Sequence, residues 1–201
     1  DSTKPVTDAL HVDALYGQLW AYNLGLGHLL PPGMVTSHLE AERRLAASPW
    51  GLLVLSNATG DGTRLAARDN LIWAAGSLAW ASMSVWLGAD VAVASQPLDA
   101  VLRSYREELN DWWDWKDLAA GPGTTGSRAC PHPPTAIDVD GQPWCNSHYS
   151  RQLIAWSMLL AVAGHHRGDS GVLRLRPAVN AGNNLIFFAG EAAGWLDHKH
   201  R

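Results

Sequence analysis

The stretch that most restricts how this chain can fold is a long apolar helical segment in its first half. The segment begins near Asp69, a residue type that caps helix N-termini. Its large apolar residues are separated by small Ala, Gly and Ser residues, and they are Ile72, Trp73, Leu78, Trp80, Met83 and Trp86. Because the segment is apolar on nearly all sides, it offers no polar face to water. The sequence therefore predicts a buried helix.

Two amphipathic helices are predicted before this segment. The first runs from Thr7, a plausible N-cap, to about Leu30, where the Pro31-Pro32 pair stops it. Its apolar positions are Leu10, Leu15, Leu19, Tyr22 and Leu26. The second covers Met34 to Ala47, with Val35, Leu39 and Leu45 on one side and Glu40, Glu42, Arg43 and Arg44 on the other. Each pattern predicts a helix that buries one face.

Two more helices are predicted after the apolar segment. One runs from Pro97 to about Ala119, with Pro in its first turn and a broad apolar face. The other begins at Asn146 or Ser147 and ends near Ala163, with Gly164 as the residue that closes it. The residues that this last helix is expected to bury are Leu153, Ile154, Trp156, Leu159 and Leu160.

Extended segments and loops make up the rest. Residues 50–55 are predicted to form a strand or a buried extended loop, and residues 172–175 and 185–188 form two short strands. The Pro- and Gly-rich residues 121–145 are predicted to form a long surface loop. Helix pairs joined by loops predict a mainly α fold. Alternating helices of this kind build an α/α toroid, and we expect residues 1–201 to supply part of one such domain.

Composition excludes several classes of protein. The 201 residues carry a formal net charge of −4, and no run of Lys and Arg supplies a local basic surface, so no nucleic-acid partner is expected. The two cysteines, Cys130 and Cys145, could pair, but two cysteines do not make a disulfide framework. No apolar run reaches the roughly 18 residues that span a bilayer. Any membrane contact of this chain is therefore expected to be peripheral.

Histidine and tryptophan are the residue types that bear on ligands. Of the nine histidines, His165 and His166 are adjacent and His198 and His200 are terminal, which indicates solvated side chains. We predict no metal and no other cofactor. The chain has eleven Trp against two Phe, and flat indole faces are surfaces on which sugar rings stack. Packing between helices explains any single one of these Trp residues equally well.

Three segments carry a family resemblance. The first is Asp13 to Trp20 (DALYGQLW), followed by LGLG at residues 24–27. The second is Asp69 to Met83, which begins DNLI, and the third is Tyr149 to Trp156 (YSRQLIAW). In this order they resemble segments of glycoside hydrolase family 116, which contains the non-lysosomal glucosylceramidases, also called bile-acid β-glucosidases. Together the three segments span most of the chain.

The resemblance implies a retaining β-glucosidase that acts on glucosylceramide-like glycolipids or other β-glucosides, in the cytoplasm and peripherally at a membrane. It implies that Asp13 is the acid/base carboxyl group and that Arg151 contacts the glucose. The other expected substrate contacts are Gln18, Asp69, Asn70 and His148. The family's nucleophilic Glu lies well upstream of its acid/base Asp, so it is not expected within these residues. We therefore expect a C-terminal portion of a catalytic domain, inactive without its partner, the remainder of that domain.

The chain also departs from the family pattern. Asn70 stands where the family has Glu, and Cys145 lies where the first of two arginines would fall. An acidic residue that the family uses before its late helix has no clear counterpart either. The candidates for these places are Asp138, Asp140, Asn146 and His148. Because these positions differ from the family pattern, the resemblance does not fix the substrate preference.

Chemistry supplies an independent argument for Asp13. A retaining glycosidase needs two carboxyl groups roughly 5–5.5 Å apart, one of which protonates the leaving oxygen. On an apolar and aromatic helix face, Asp13 would be partly desolvated, which favours the protonated form of an acid. The alternative is that Asp13 is only an exposed acid on a helix surface. Asp8 is a weaker candidate for the acid/base residue, because no Gly-Gln pair follows it as Gly17 and Gln18 follow Asp13. For the whole chain, the alternative is a catalytically inactive helical carbohydrate-binding or scaffold module.

Overall fold

The computed structural model describes residues 9–56, 71–108, 115–116, 118–123, 140–144, 148–167, 172–178, 184–189 and 192–197. Their regular structure is mainly helical, as predicted. The α-helices are α1 (Tyr16–Asn23), α2 (Pro32–Leu45), α3 (Ala74–Trp86), α4 (Val91–Ala94), α5 (Gln96–Arg103) and α6 (Ala155–Ala163). A π-helical turn (Ser104–Glu108) continues α5, and a 3₁₀ segment (Ser150–Ile154) leads into α6.

The strands are short and pair antiparallel. β1 (Leu10–His11) pairs with β4 (Leu55–Ser56), and β2 (Ala47–Ser48) pairs with β3 (Gly51–Leu52). β5 (Leu71–Trp73), β6 (Leu118–Ala120) and β7 (Pro143–Trp144) form a sheet in that order. β8 (His165–Arg167) pairs with β9 (Leu173–Leu175), and β10 (Asn184–Ala189) pairs with β11 (Ala192–Asp197). No sheet in the described ranges exceeds three strands, so helices supply most of the core.

α3 lies at the centre of the hydrophobic core. Every residue from Ala74 to Val85 is buried, and the helix packs against α1, α2, α5 and α6. Burial of each large apolar side chain contributes about 1.5–3 kcal/mol. The indole Nε1 of Trp80 donates a hydrogen bond to the backbone oxygen of Leu39 in α2, at 3.0 Å. The prediction of a buried helix is confirmed.

The predicted start of this helix is wrong. Leu71 to Trp73 form β5, and Leu71 pairs with Ala120 of β6. Long-range pairing of this kind overrides a local helical pattern, because it satisfies the backbone groups in another way. The helix therefore begins at Ala74, and Asp69 lies outside the described residues.

The predicted long first helix is also wrong. Leu10 and His11 belong to β1, and α1 covers only Tyr16–Asn23. After α1 the backbone enters the left-handed region at Gly25 and Gly27, with φ of 73° and 76°. Glycine adopts this conformation at little cost because it has no Cβ atom. A strand, a turn and a short helix therefore replace one continuous helix.

The helix predicted from Pro97 to Ala119 is not one continuous helix. α5 ends at Arg103, the π-helical turn follows it, and Leu118–Ala120 form β6. β6 lies between β5 and β7, so its residues are committed to a sheet. Residues 109–114 and 117 lie outside the described part of the chain.

The last predicted helix is confirmed at its end, but its predicted start at Asn146 or Ser147 is wrong, because His148 has a φ of 52° and α6 begins at Ala155 after the 3₁₀ segment. Its predicted buried face is also wrong in part. α6 ends at Gly164, whose φ is 58° in the left-handed region, as predicted for its closing residue. The buried side chains are Ile154, Ser157, Ala161 and Ala163, of which the first three follow the i, i+3, i+7 spacing of one face. The predicted burial of Leu153, Trp156 and Leu159 is wrong, because these side chains are exposed. α6 packs on α3, and Ala161 and Met158 of α6 lie in a hydrophobic cluster with Val85 of α3.

The strands predicted at residues 172–175 and 185–188 are confirmed as β9 and β10. They do not pair with each other, because β8 and β11 are their partners. Residues 51–52 and 55–56 form β3 and β4, as the short apolar run indicated. Cys130 and Cys145 lie outside the described residues. Among the helices that are described, none is both long enough and apolar enough to cross a bilayer.

Candidate active site

A turn after β1 carries Asp13. The backbone nitrogen of Val12 donates to the Val54 oxygen at 3.0 Å, and the Val12 side chain is buried. Val12 packs on Gly76 of α3, where an added Cβ atom would come within 2.5 Å of the Val12 Cγ1 atom. The missing side chain of Gly76 permits this close approach. Asp13 therefore follows a residue fixed on α3, and its predicted position on a helix face is wrong.

The Asp13 carboxyl group contacts two basic side chains. Its Oδ1 atom contacts Nδ1 of His11, and its Oδ2 atom lies 3.8 Å from Nη1 of Arg151. The Asp13 side chain is 31% exposed. The carboxyl group is therefore partly buried and still accessible to a ligand.

The guanidinium group of Arg151 lies over two aromatic rings. Its Cζ atom is 4.8 Å from the ring centroid of Trp73 and 5.7 Å from that of Tyr16. The two rings stack with centroids 6.0 Å apart and planes 15° from parallel. A cation over an aromatic face is attracted by the ring quadrupole, and Arg can also stack its planar group. The rings therefore orient Arg151 toward Asp13, while its side chain stays 51% exposed.

The segment that carries Arg151 is anchored through its backbone and one side chain. The Tyr149 nitrogen donates to the Trp115 oxygen at 3.0 Å, and Nε2 of Gln152 donates to the Lys116 oxygen at 2.8 Å. His148, an expected substrate contact, is exposed and has a φ of 52°. A non-glycine residue in the left-handed region is uncommon. This bend immediately precedes the 3₁₀ segment and directs the chain into it.

Tyr16 joins the site to the core. Its hydroxyl group donates to the backbone oxygen of Ala75 at 3.4 Å. Burial raises the pKa of Tyr16 to about 12; the nearby Arg151 lowers it, while Asp13 and Tyr149 raise it by smaller amounts. The phenol therefore stays protonated across the working pH range. Tyr16 acts here as a neutral platform and a hydrogen-bond donor.

A second carboxyl group, that of Glu42, lies close enough to Asp13 for the two groups to interact electrostatically. Glu42 is 2% exposed, and its Oε1 atom is 3.1 Å from Nε2 of His38 one turn earlier on α2. Burial raises the pKa of Glu42; His38 and His11 lower it, and Asp13 raises it. Its predicted position on the polar side of α2 is wrong, since Val35, Leu39 and Glu42 are the buried residues of that helix.

Gln18, another expected substrate contact, holds the segment after α1. Its Nε2 atom donates to the Gly27 oxygen at 2.9 Å, and its Oε1 atom accepts from the nitrogens of Leu29 and Leu30 at 2.8 and 3.0 Å. The side chain is 3% exposed. These hydrogen bonds give Gln18 a structural role that the sequence analysis did not identify. A sugar contact through Gln18 stays a prediction.

The structure describes only some of the other residues that were expected at the site. Asp69, Asn70, Asp138 and Asn146 lie outside the described residues. Asp140 accepts a hydrogen bond from the nitrogen of Gly123 at 3.0 Å. In the ranges that the structure describes, no group of three His, Cys, Asp or Glu side chains could hold a metal ion.

His11, Tyr16, Trp73 and Glu42 were not predicted as members of the cluster around Asp13 and Arg151. Tyr16 and Trp73 do lie inside the segments that resemble the family, so that resemblance was the available signal. An accessible carboxyl group beside an oriented guanidinium group can transfer a proton and bind hydroxyl groups. Comparison of the chain with models of known protein families and with curated proteins gives no match to either.

Proposed function

We propose that this chain is the acid/base half of a retaining β-glucosidase site, within a domain of α/α-toroid architecture, acting on glucosylceramide-like β-glucosides. The observation that carries the proposal is the convergence of three separate segments. Asp13, Trp73 and Arg151 come from the three stretches that resemble glycoside hydrolase family 116, and they meet in one cluster. Unrelated resemblances would have no physical reason to converge in space.

In this proposal Asp13 protonates the leaving oxygen and later takes a proton from the attacking water. Its partly exposed carboxyl group gives a substrate access to both steps. Arg151 uses the N–H groups that do not face Asp13 to bind glucose hydroxyls, since a guanidinium group has five donors. Trp73 is 6% exposed and lies under Arg151, so it orients the arginine and does not stack on the sugar.

The nucleophile is expected from the remainder of the catalytic domain. A nucleophilic carboxylate has to reach the anomeric carbon, and Glu42 is too deeply buried to do so. Large apolar side chains are exposed at the end of α1 and after it: Trp20, Leu24, Leu26, Leu29, Leu30 and Met34. We propose that the remainder of the domain covers this surface. A cytoplasmic location with peripheral contact to the glycolipid-bearing membrane completes the proposal.

The test compares the complete protein with its Asp13→Asn variant on two aryl β-glucosides. One substrate has a poor leaving group that needs protonation, and the other has a nitrophenol that leaves without it. We expect turnover of the first to fall by about 10²–10⁴-fold, and turnover of the second to fall much less. Asp8→Asn is the matched control, because it makes the same change in the neighbouring Asp-Ala-Leu triplet.

Equal losses on both substrates would contradict the acid/base role of Asp13. A complete protein that binds glucose-like iminosugars but hydrolyses neither glucoside would support the alternative of a helical carbohydrate-binding module. If neither iminosugars nor glucosides shift its melting temperature, the scaffold alternative applies.

A further inference from the structure

A pocket lies between α3, α6 and the β8–β9 strand pair. Its volume is about 530 Å³, which falls within the range of small-molecule sites. None of its described lining residues belongs to the cluster around Asp13 and Arg151. The described lining of the pocket is therefore separate from the cluster that carries the proposed acid/base group.

One side of the pocket is basic. His166, Arg174 and Arg176 line it. His166 and Arg174 are direct partners across the β8–β9 ladder, and Arg176 follows Arg174 by two positions. Alternate residues of an extended strand share one face, so the two arginines lie about 7 Å apart on the same side. The Arg176 nitrogen donates to the Gly164 oxygen at 3.1 Å, which holds the end of this strand against α6.

Within the described part of the chain, no acidic side chain pairs with this basic side. The described lining residues include no Asp or Glu, and none of the three side chains forms an ion pair with another described residue. The two arginine charges lie about 7 Å apart on one side of the chain and repel each other. An anion bound between them would remove this repulsion. A bound ligand with an anionic group can supply this charge.

The opposite side of the pocket is apolar. It is formed by Val85 and Trp86 of α3, Ala161 of α6, and Pro177 and Ala178. The indole ring of Trp86 is fixed, because its Nε1 atom donates to Oδ1 of Asn23 at 3.2 Å. A hydrated inorganic ion would leave this wall uncovered. A ligand with both an anionic group and an apolar group would cover both sides.

We propose that this pocket binds a small organic phosphate. The phosphate group lies against Arg174, Arg176 and His166, and the organic group lies against Trp86 and Val85. Two guanidinium groups suit a phosphate monoester because each can donate two parallel hydrogen bonds to its oxygens, and because the monoester carries close to two negative charges near neutral pH.

The test is isothermal titration calorimetry of the complete protein with phenyl phosphate, near neutral pH and at low ionic strength. We expect a dissociation constant of about 1 mM or lower, as is usual for a ligand of this size. The double variant Arg174→Ala/Arg176→Ala should weaken binding at least tenfold. Both side chains are exposed, so the folded state should survive, and circular dichroism checks this. Arg44→Ala, another exposed arginine on α2, is the matched control and should bind like the wild type.

Inorganic phosphate and phenol separate the two sides of the pocket. Each should bind at least tenfold more weakly than phenyl phosphate. Equal affinity for inorganic phosphate would overturn the apolar part of the proposal, and equal affinity for phenol would overturn the phosphate part. Wild-type protein that binds no phenyl phosphate, or a double variant that binds it equally well, would overturn the whole proposal.

Discussion

His38 and Glu42 lie one turn apart on α2 and share a hydrogen bond of 3.1 Å between Nε2 and Oε1. The pair is electrostatically coupled to the proposed acid/base residue. His11 lowers the pKa of Glu42, and Asp13 raises it. The pKa of Glu42 is raised above its usual value of 4.5, chiefly by burial. The pKa of His38 is raised above 6.5, chiefly by its hydrogen bond to Glu42, while burial lowers it.

These two shifts predict how stability depends on pH. Both groups hold their protons more tightly in the folded state than in the unfolded state, so their contribution is fully present below the unfolded-state pKa values. It is lost as pH rises through the folded-state values. We expect the free energy of unfolding to fall between about pH 5 and about pH 8, and Glu42→Gln to flatten this decrease because a neutral amide does not titrate. Denaturant titrations at both pH values measure the effect.

Glu40→Gln is the matched control for this measurement. It makes the same chemical change two positions away on α2, where the side chain is exposed. Its pH dependence should resemble that of the wild type. A Glu42→Gln variant whose stability falls as steeply as the wild type's would show that the Glu42–His38 pair does not cause the dependence.

Gly76→Ala should disturb Asp13 from a distance. The new Cβ atom would lie 2.5 Å from Cγ1 and 2.9 Å from Cγ2 of Val12, the residue before Asp13. Since Val12 is buried, we expect a loss of about 1–3 kcal/mol in unfolding free energy despite the better helix propensity of Ala. A displacement of about 1 Å at Asp13 could lower turnover of an aryl β-glucoside by about 10²-fold. Denaturant unfolding and steady-state kinetics measure the two effects.

Two further variants identify the cause of this effect. Gly33→Ala in α2 adds the same atom where nothing lies within 4 Å, so it should change neither quantity much. Val12→Ala combined with Gly76→Ala makes room for the new Cβ atom and should recover part of the activity. If Gly76→Ala alone is as stable and as active as the wild type, the packing of Val12 on Gly76 does not determine the position of Asp13.

Arg151→Lys keeps the positive charge beside Asp13 but removes the planar group that lies over Trp73 and Tyr16. A lysine ammonium group cannot stack or donate two parallel hydrogen bonds. Under the proposed function we expect KM for an aryl β-glucoside to rise about tenfold, equivalent to about 1.4 kcal/mol, with a smaller change in kcat. Steady-state kinetics of the complete protein measure this, with Arg44→Lys on α2 as the control. An unchanged KM would exclude Arg151 from substrate binding.

Local sequence patterns predicted the parts of the fold that depend on local interactions. The periodicity of α2, the buried character of α3 and the closing Gly164 of α6 are all visible in the sequence, because helix faces and caps are set by residues within a few positions. Elements that depend on distant partners were predicted less well. The sequence pattern predicted a helix at Leu10 and His11, but these two residues form a strand that pairs with Leu55 and Ser56.

In the candidate site, too, the sequence predicted single residues but not the long-range contacts between them. Asp13 and Arg151 were identified one by one, through the segments that resemble a glycosidase family. Their contact, and the stacking of Arg151 on Trp73, depend on how α3 brings distant turns together, which no local pattern encodes. Glu42 was assigned to the polar side of its helix because charged residues are mostly exposed. Its hydrogen bond to His38 offsets part of the cost of burial and makes the exception stable.

The burial of α3 on every side also limits which substitutions this chain can accept. An ordinary surface helix has a solvent-facing side, where most replacements cost little. From Ala74 to Val85, α3 has no such side, and several of its small residues contact neighbouring elements. Gly76 and Ser77 illustrate this, since Val12 packs on the first and the hydroxyl group of the second accepts a hydrogen bond from the Leu52 nitrogen. Sequence drift in this protein should therefore accumulate along α2 and the exposed side of α6, while α3 changes only together with its neighbours.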